Sequence, residues 1–186
     1  MEEICNSIGI QIFLHAGTVM GALRDGAIIP HDDDIDIAFR AREDKGKLLP
    51  LLVDKFGQDH VFSRILDDGI VEVSRLIIVH ITKNGNEAGQ VDLFPLYRDE
   101  RGWWALRNYK NGGFYGRRFP HTAFDPPAEE TAMLNGKEFY IPNGAEDLLD
   151  FYYGRSINWR IPLLPPKRGK SPVPSEFYGE TLPRRG

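Results

Sequence analysis

Four aspartates fall within five residues, at Asp32, Asp33, Asp34 and Asp36, and the run continues directly into Ile37, Ala38 and Phe39. Carboxylates this close repel one another unless a cation intervenes. Solvated acidic loops do not continue into such an apolar run. The alternation Asp34-Ile35-Asp36-Ile37 has the period of a strand, in which successive side chains point to opposite faces. Asp34 and Asp36 then share one face, roughly 7 Å apart, while Ile35 and Ile37 enter a core. Two carboxylates fixed on one strand face suit a divalent cation that also grips phosphate oxygens.

A calcium loop is excluded by position. Counted from Asp32, the sixth residue is Ile37, where an EF-hand needs Gly, and the twelfth is Glu43. Asp32 and Asp33 precede the strand and read as secondary to Asp34 and Asp36. Upstream, Gly17-Thr18 turns the chain into a helix over Val19–Arg24, with Thr18 read either as its N-cap or as a hydroxyl donor to phosphate. A helix N-terminus offers free backbone N–H groups to an anion, so Gly17 and Thr18 are substrate-binding candidates. Arg24 is a third, facing either phosphate or the aspartates. His15 and His31 flank the acidic run, and His31 is carried as a phosphate contact. Neither histidine has the spacing of a zinc site.

The remaining chain reads as mixed α and β. Helix is expected over Met1–Ser7 and Arg42–Phe56, the latter broken or restarted at Pro50. Strands are expected at Ile10–Leu14, Val61–Leu66, Arg75–Thr82 and Gly89–Leu96, the last two joined through Asn84-Gly85. On the returning strand Asp92 points opposite to Val91 and Leu93, so it joins Asp34 and Asp36 if the two strands are neighbours. Trp103–Leu106 reads as an edge strand. Thr131–Leu134 and Lys137–Ile141 form a hairpin about Asn135-Gly136, and Ala145–Tyr153 is a final helix stopped by Gly154. Between Trp103 and Phe119, aromatics alternate with Arg107, Lys110, Arg117 and Arg118. This segment reads as core aromatics with a solvated loop, or as a stacking surface in which Arg117 holds phosphate.

The segment Gly17–Arg40 resembles the LicD family of the nucleotidyltransferase-fold superfamily, which includes the fukutin-related proteins. The resemblance rests on Ala16-Gly17-Thr18, on Gly21-Ala22-Leu23-Arg24 and on Ile29-Pro30-His31-Asp32-Asp33-Asp34-Ile35-Asp36-Ile37. Val91-Asp92-Leu93-Phe94-Pro95-Leu96 is similar to the superfamily's third acidic strand. Asn135–Pro142 and Leu148–Gly154 are similar to its closing hairpin and helix. Two departures stand out: Ala16 replaces the first Gly of the usual pair, and the leading helix is reduced to Met1–Ser7.

The resemblance implies an α+β, polymerase-beta-like fold, with a small mixed sheet flanked by helices in a single domain. It implies Mg²⁺ or Mn²⁺ on Asp34, Asp36 and Asp92, with Asp92 as general base. It also implies transfer of phosphocholine, or of ribitol or glycerol phosphate, from a CDP-linked donor to a glycan hydroxyl. The rival readings are an NTP-dependent nucleotidyltransferase acting on a small molecule, and a family member that binds nucleotide without turnover.

At 186 residues and 41% hydrophobic, the chain suits one domain with an adequate core. Residues 155–186 carry seven Lys/Arg against two Glu, a balance of +5, which leaves −9 for residues 1–154 of a chain at −4. An acidic balance gives no general attraction to DNA or to an anionic membrane. The tail also holds six of the 13 prolines, so we expect a domain at 1–164 and an extended tail at 165–186 that drapes over the acidic surface. A single cysteine, Cys5, excludes an internal disulfide and fits a reducing compartment. With no run of 18 apolar residues, a cytoplasmic protein without a transmembrane segment is the expectation.

Overall fold

The computed structural model describes the chain except residues 31, 33, 42–45, 66–70, 83–84, 101, 109–113, 120–121, 154–157 and 162–186. The expected tail, the Asn111-Gly112-Gly113 loop tip, His31 and Asp33 therefore lie outside the described residues. The ordered elements are α1 (Glu2–Ser7), β1 (Ile12–Leu14), α2 (Ala16–Asp25), β2 (Asp34–Arg40), α3 (Leu48–Phe56), β3 (Val61–Ile65), β4 (Val71–Thr82), β5 (Gly85–Asp99), β6 (Gly102–Asn108), β7 (Phe114–Phe119), β8 (Thr131–Leu134), β9 (Lys137–Tyr140) and α4 (Ala145–Tyr153).

Seven strands form one sheet in the order β1-β2-β5-β4-β3, with β6 on β5 and β7 on β6. It is larger than the small sheet expected. β2 and β5 run parallel, while the other strand pairs of the sheet are antiparallel. Period-two alternation divides the apolar residues between two cores. Ile37, Phe39, Val91 and Leu93 pack with Ile4, Cys5, Leu48 and Leu52 from α1 and α3. On the opposite face Ala38 and Leu96 pack with Val19, Met20 and Ala22 of α2 and with Leu148 and Leu149 of α4. Asp34, Asp36 and Asp92 have the parity of this second face, at the end where its apolar packing stops.

The structure decides between readings of the sequence at three places. Pro50 marks the restart of a helix rather than a break within one. It sits in the first turn of α3, where the N–H it lacks would have no partner inside the helix. Phe114–Phe119 is a strand paired with β6, not a solvated loop. Trp103 and Phe119 are buried in the core, and the Trp103 indole donates to Asp125 at 2.8 Å. These two rings are therefore not part of a stacking surface for a nucleotide.

Beyond α4, Trp159 and Arg160 are both tied to the Asp150 carboxylate, and Arg160 also pairs with Glu146 at 2.7 Å. Buried Trp159 donates from Nε1 to Asp150 Oδ1 at 2.6 Å, and Arg160 Nη1 donates to the same atom at 2.8 Å. The Arg160 guanidinium, with the Trp159 indole, holds the Asp150 carboxyl below the usual carboxylate range. The Arg24 guanidinium does the same for Asp25. A carboxylate whose folded value is lowered stabilises the fold fully above its unfolded value, about 3.9. That contribution is lost as pH falls through the lowered value. We expect a melting temperature insensitive to these groups from pH 7 to about 5, falling below about pH 4. The fall should be shallower in Asp150→Asn, as measured by circular dichroism melts across pH.

Candidate active site

The parallel register of β2 and β5 sets Asp36 opposite Asp92 and Asp34 opposite Gln90. Side chains at paired positions lie on one face, so the three aspartates meet. One carboxylate oxygen from each of Asp34, Asp36 and Asp92 lies within 4.8 Å of the others, and all three residues are half-buried. Gln90 Nε2 donates to Asp34 Oδ2 at 3.3 Å and fixes that carboxylate. Gln90 was not among the residues singled out from sequence, although its place two before Asp92 gives it the same parity.

Helix α2 is built against this cluster. It starts at Ala16, with His15 as an extended N-cap residue, three residues before the start at Val19 expected with Thr18 as N-cap. Thr18 is therefore not the N-cap. Its buried hydroxyl accepts the Asp36 N–H at 2.8 Å, and the His15 N–H donates to the Asp36 carbonyl at 3.0 Å. The peptide groups flanking the Asp36 side chain are thus both tied to the start of α2. Thr18→Val keeps the shape and leaves the Asp36 N–H without its acceptor. We expect a loss of about 1–3 kcal/mol, with Thr18→Ser close to wild type, in urea unfolding.

Ala16 adopts φ +42°, the left-handed region in which glycine is at ease and alanine is strained. The Gly-Gly of the family pattern is thereby explained, because the backbone at this turn demands it. Gly17 leaves room for acid: a Cβ there would lie 2.9 Å from Asp32 Oδ2 and 4.0 Å from Asp36 Oδ2. Asp32, read from sequence as secondary, stands against the first turn of α2.

Arg24, His15 and Arg117 occupy other positions. Arg24 lies in the last turn of α2, where it pairs with Asp25 and donates to the Trp159 carbonyl at 3.4 Å. That is the opposite end of the helix from Gly17 and Thr18. The His15 ring is buried among Phe94, Phe119 and Phe124. Arg117 pairs in register with Ala105, which is level with Leu96 on β5. That row is four residues along from Asp92, roughly 13 Å.

The donors that meet are all oxygens. Carboxylate oxygen suits hard divalent cations such as Mg²⁺ and Mn²⁺, whereas zinc sites draw on Cys and His. The residues present fit the hard cation. Among the described residues no helix is long and apolar enough to cross a membrane.

A mixed sheet with two aspartates on one strand, a third on its parallel neighbour and a helix start beside them defines a domain of the nucleotidyltransferase type. The family model LicD/FKTN/FKRP, nucleotidyltransferase domain, matches residues 9–144, and the chain belongs to that family. Membership supports a transferase of this kind. An uncharacterized protein of Caenorhabditis elegans, T07A5.1, is 27% identical over 155 residues, covering 82% of this chain. The chain spans 39% of that relative's length. Among solved structures, the lincosamide antibiotic adenylyltransferase LnuA with lincomycin bound is similar, with a TM-score of 0.43 and 18% identity. That similarity covers 80% of this chain and 79% of LnuA.

Proposed function

We propose that the chain is a metal-dependent transferase that moves a phospho-alcohol unit from a CDP-linked donor to a glycan hydroxyl. The convergence of Asp34, Asp36 and Asp92 within 4.8 Å carries the phosphoryl-transfer part of this reading, and family membership supports the donor class. Asp34, Asp36 and Asp92 would hold Mg²⁺ or Mn²⁺, which supplies positive charge to the phosphate oxygens as the leaving group departs.

This chain's residues do the rest. The Thr18 hydroxyl and the His15 N–H fix the Asp36 backbone, so the cluster is organised before substrate arrives. Gly17 keeps the first turn of α2 open beside the carboxylates. Asp92 accepts the proton of the acceptor hydroxyl. That oxygen forms a bond to the donor phosphorus bearing the alcohol, the bond to the bridging oxygen breaks, and CMP leaves with the electron pair.

A thermal-shift series with CDP-choline, CDP-ribitol, CDP-glycerol and the four NTPs, each with and without Mg²⁺, tests the donor. A ligand at a hundredfold excess over Kd stabilises the native state by about 2.7 kcal/mol, or roughly 5–10 °C for a chain of this size. We expect a CDP-alcohol to give this shift only with Mg²⁺. A shift from NTPs alone would establish the rival nucleotidyltransferase reading, and no shift from any donor would overturn both.

A further inference from the structure

Asp34 and Asp36 are held in place by different means. Asp36 has its peptide groups tied to the start of α2 through Thr18 and His15. Asp34 is the first residue of β2 and lies outside the ladder with β1, which covers Ile37–Phe39. Its support comes from β5, where Gln90 is its register partner. Gln90 is set between two strands, with Asp34 on one side and Ile77 of β4 on the other. Its backbone is therefore fixed, and its half-buried side chain shares a face with Asp34 and with Asp92 two residues on.

Gln90 Nε2 donates to Asp34 Oδ2 at 3.3 Å. An ionised carboxylate only accepts hydrogen bonds, so the amide must present its NH₂ end here. This engages one oxygen of Asp34 and leaves the other for a cation. Glutamate has the shape of glutamine but would set a fourth carboxylate against three that already meet within 4.8 Å. Glutamine at this position adds a donor without adding charge.

We propose that Gln90 is a positioning residue that makes the site selective for Mg²⁺ over Ca²⁺. This rests on the metal-dependent reading above and extends it to a residue outside the acidic motif. Ca²⁺ takes more oxygens in a flexible geometry and accepts both oxygens of one carboxylate, whereas Mg²⁺ demands a near-ideal octahedron. The bite of a single carboxylate is too narrow for adjacent corners of that octahedron. An Asp34 with one oxygen engaged by Gln90 suits the smaller ion and withholds a ligand from the larger. Hydrogen bonds of this kind to a ligating group carry about 10- to 100-fold in metal affinity.

Electron paramagnetic resonance of free Mn²⁺ tests this in wild type, Gln90→Met and Gln90→Glu, first as Mn²⁺ is added and then as Mg²⁺ or Ca²⁺ displaces it. Methionine keeps the length of glutamine without a donor, and a glutamate carboxylate cannot donate either. We expect Gln90→Met to bind Mg²⁺ about tenfold more weakly and Ca²⁺ at least as well as wild type does. The ratio should move towards Ca²⁺ in Gln90→Glu too, where further oxygens are offered. Loss of packing alone would weaken both ions alike. An unchanged Mg²⁺-to-Ca²⁺ ratio in Gln90→Met, whether both affinities hold or both fall, overturns the proposal and leaves the metal site standing. Wild type that binds no Mn²⁺ overturns the metal-dependent reading and the proposal with it. If Gln90→Met does not fold, Gln90→Glu decides alone, and a wild-type ratio in it overturns the proposal.

Discussion

Asp36→Asn should lower transfer by at least about 1,000-fold while the metal-free protein keeps or raises its melting temperature. Asp36 stands at the centre of the arrangement. Its strand neighbour is Asp92, its own strand carries Asp34 two residues earlier, and its peptide groups are tied to α2. Three carboxylates meeting within 4.8 Å repel one another without a cation. Replacing one by its neutral isostere relieves that repulsion and removes a ligand. The amide keeps the backbone nitrogen that Thr18 binds, so the fold should survive. Single-turnover assays with and without Mg²⁺, alongside melts in EDTA, check both halves. A large loss of stability in EDTA would instead assign Asp36 a structural role.

Gly21→Ala should destabilise the protein by about 2–3 kcal/mol, the reverse of the usual sign. In an exposed helix, alanine is favoured over glycine by about 1 kcal/mol. Here a Cβ at position 21 would lie 2.5 Å from the Ala27 carbonyl oxygen and 3.2 Å from Ile29 Cγ1. The first contact is backbone and cannot swing aside. Residues 26–29 fold back on α2 because Gly26 adopts φ +65° and its N–H bonds the Ala22 carbonyl at 3.1 Å. This return leads to Asp32, whose N–H donates to the Ile29 carbonyl at 2.9 Å, and then to β2. Pushing the loop away from α2 therefore disturbs the approach to the acidic strand as well as the core. Urea unfolding gives the stability change directly; an increase would contradict the packing of this loop.

The parity of the acidic site was legible because a strand has period two: Asp34, Asp36 and Asp92 each alternate with Ile, Val or Leu. Their juxtaposition was not legible from parity alone. It depends on parallel pairing of β2 and β5, between which α3, β3 and β4 intervene in the chain. The contacts of Thr18 and Arg24 were not legible for the same reason, that their partners are distant in sequence. Thr18 binds a backbone N–H 18 residues on, and Arg24 reaches a carbonyl 135 residues on. The start of α2 was placed late because Ala16 at a positive φ carries no local signal, glycine being the residue that normally marks it. β7 was missed because its aromatics share a short span with Arg117, Arg118 and Gly116, a composition equally at home in a loop.

Mn²⁺ titration of wild type and of Asp34→Asn, Asp36→Asn and Asp92→Asn, followed by electron paramagnetic resonance of the free ion, tests the central claim most directly. Wild type should bind one or two Mn²⁺, and each variant should lose at least about tenfold in affinity, because each removes one charged oxygen ligand. Wild type that leaves Mn²⁺ free, or variants that bind it as wild type does, would contradict a metal site built from these three carboxylates.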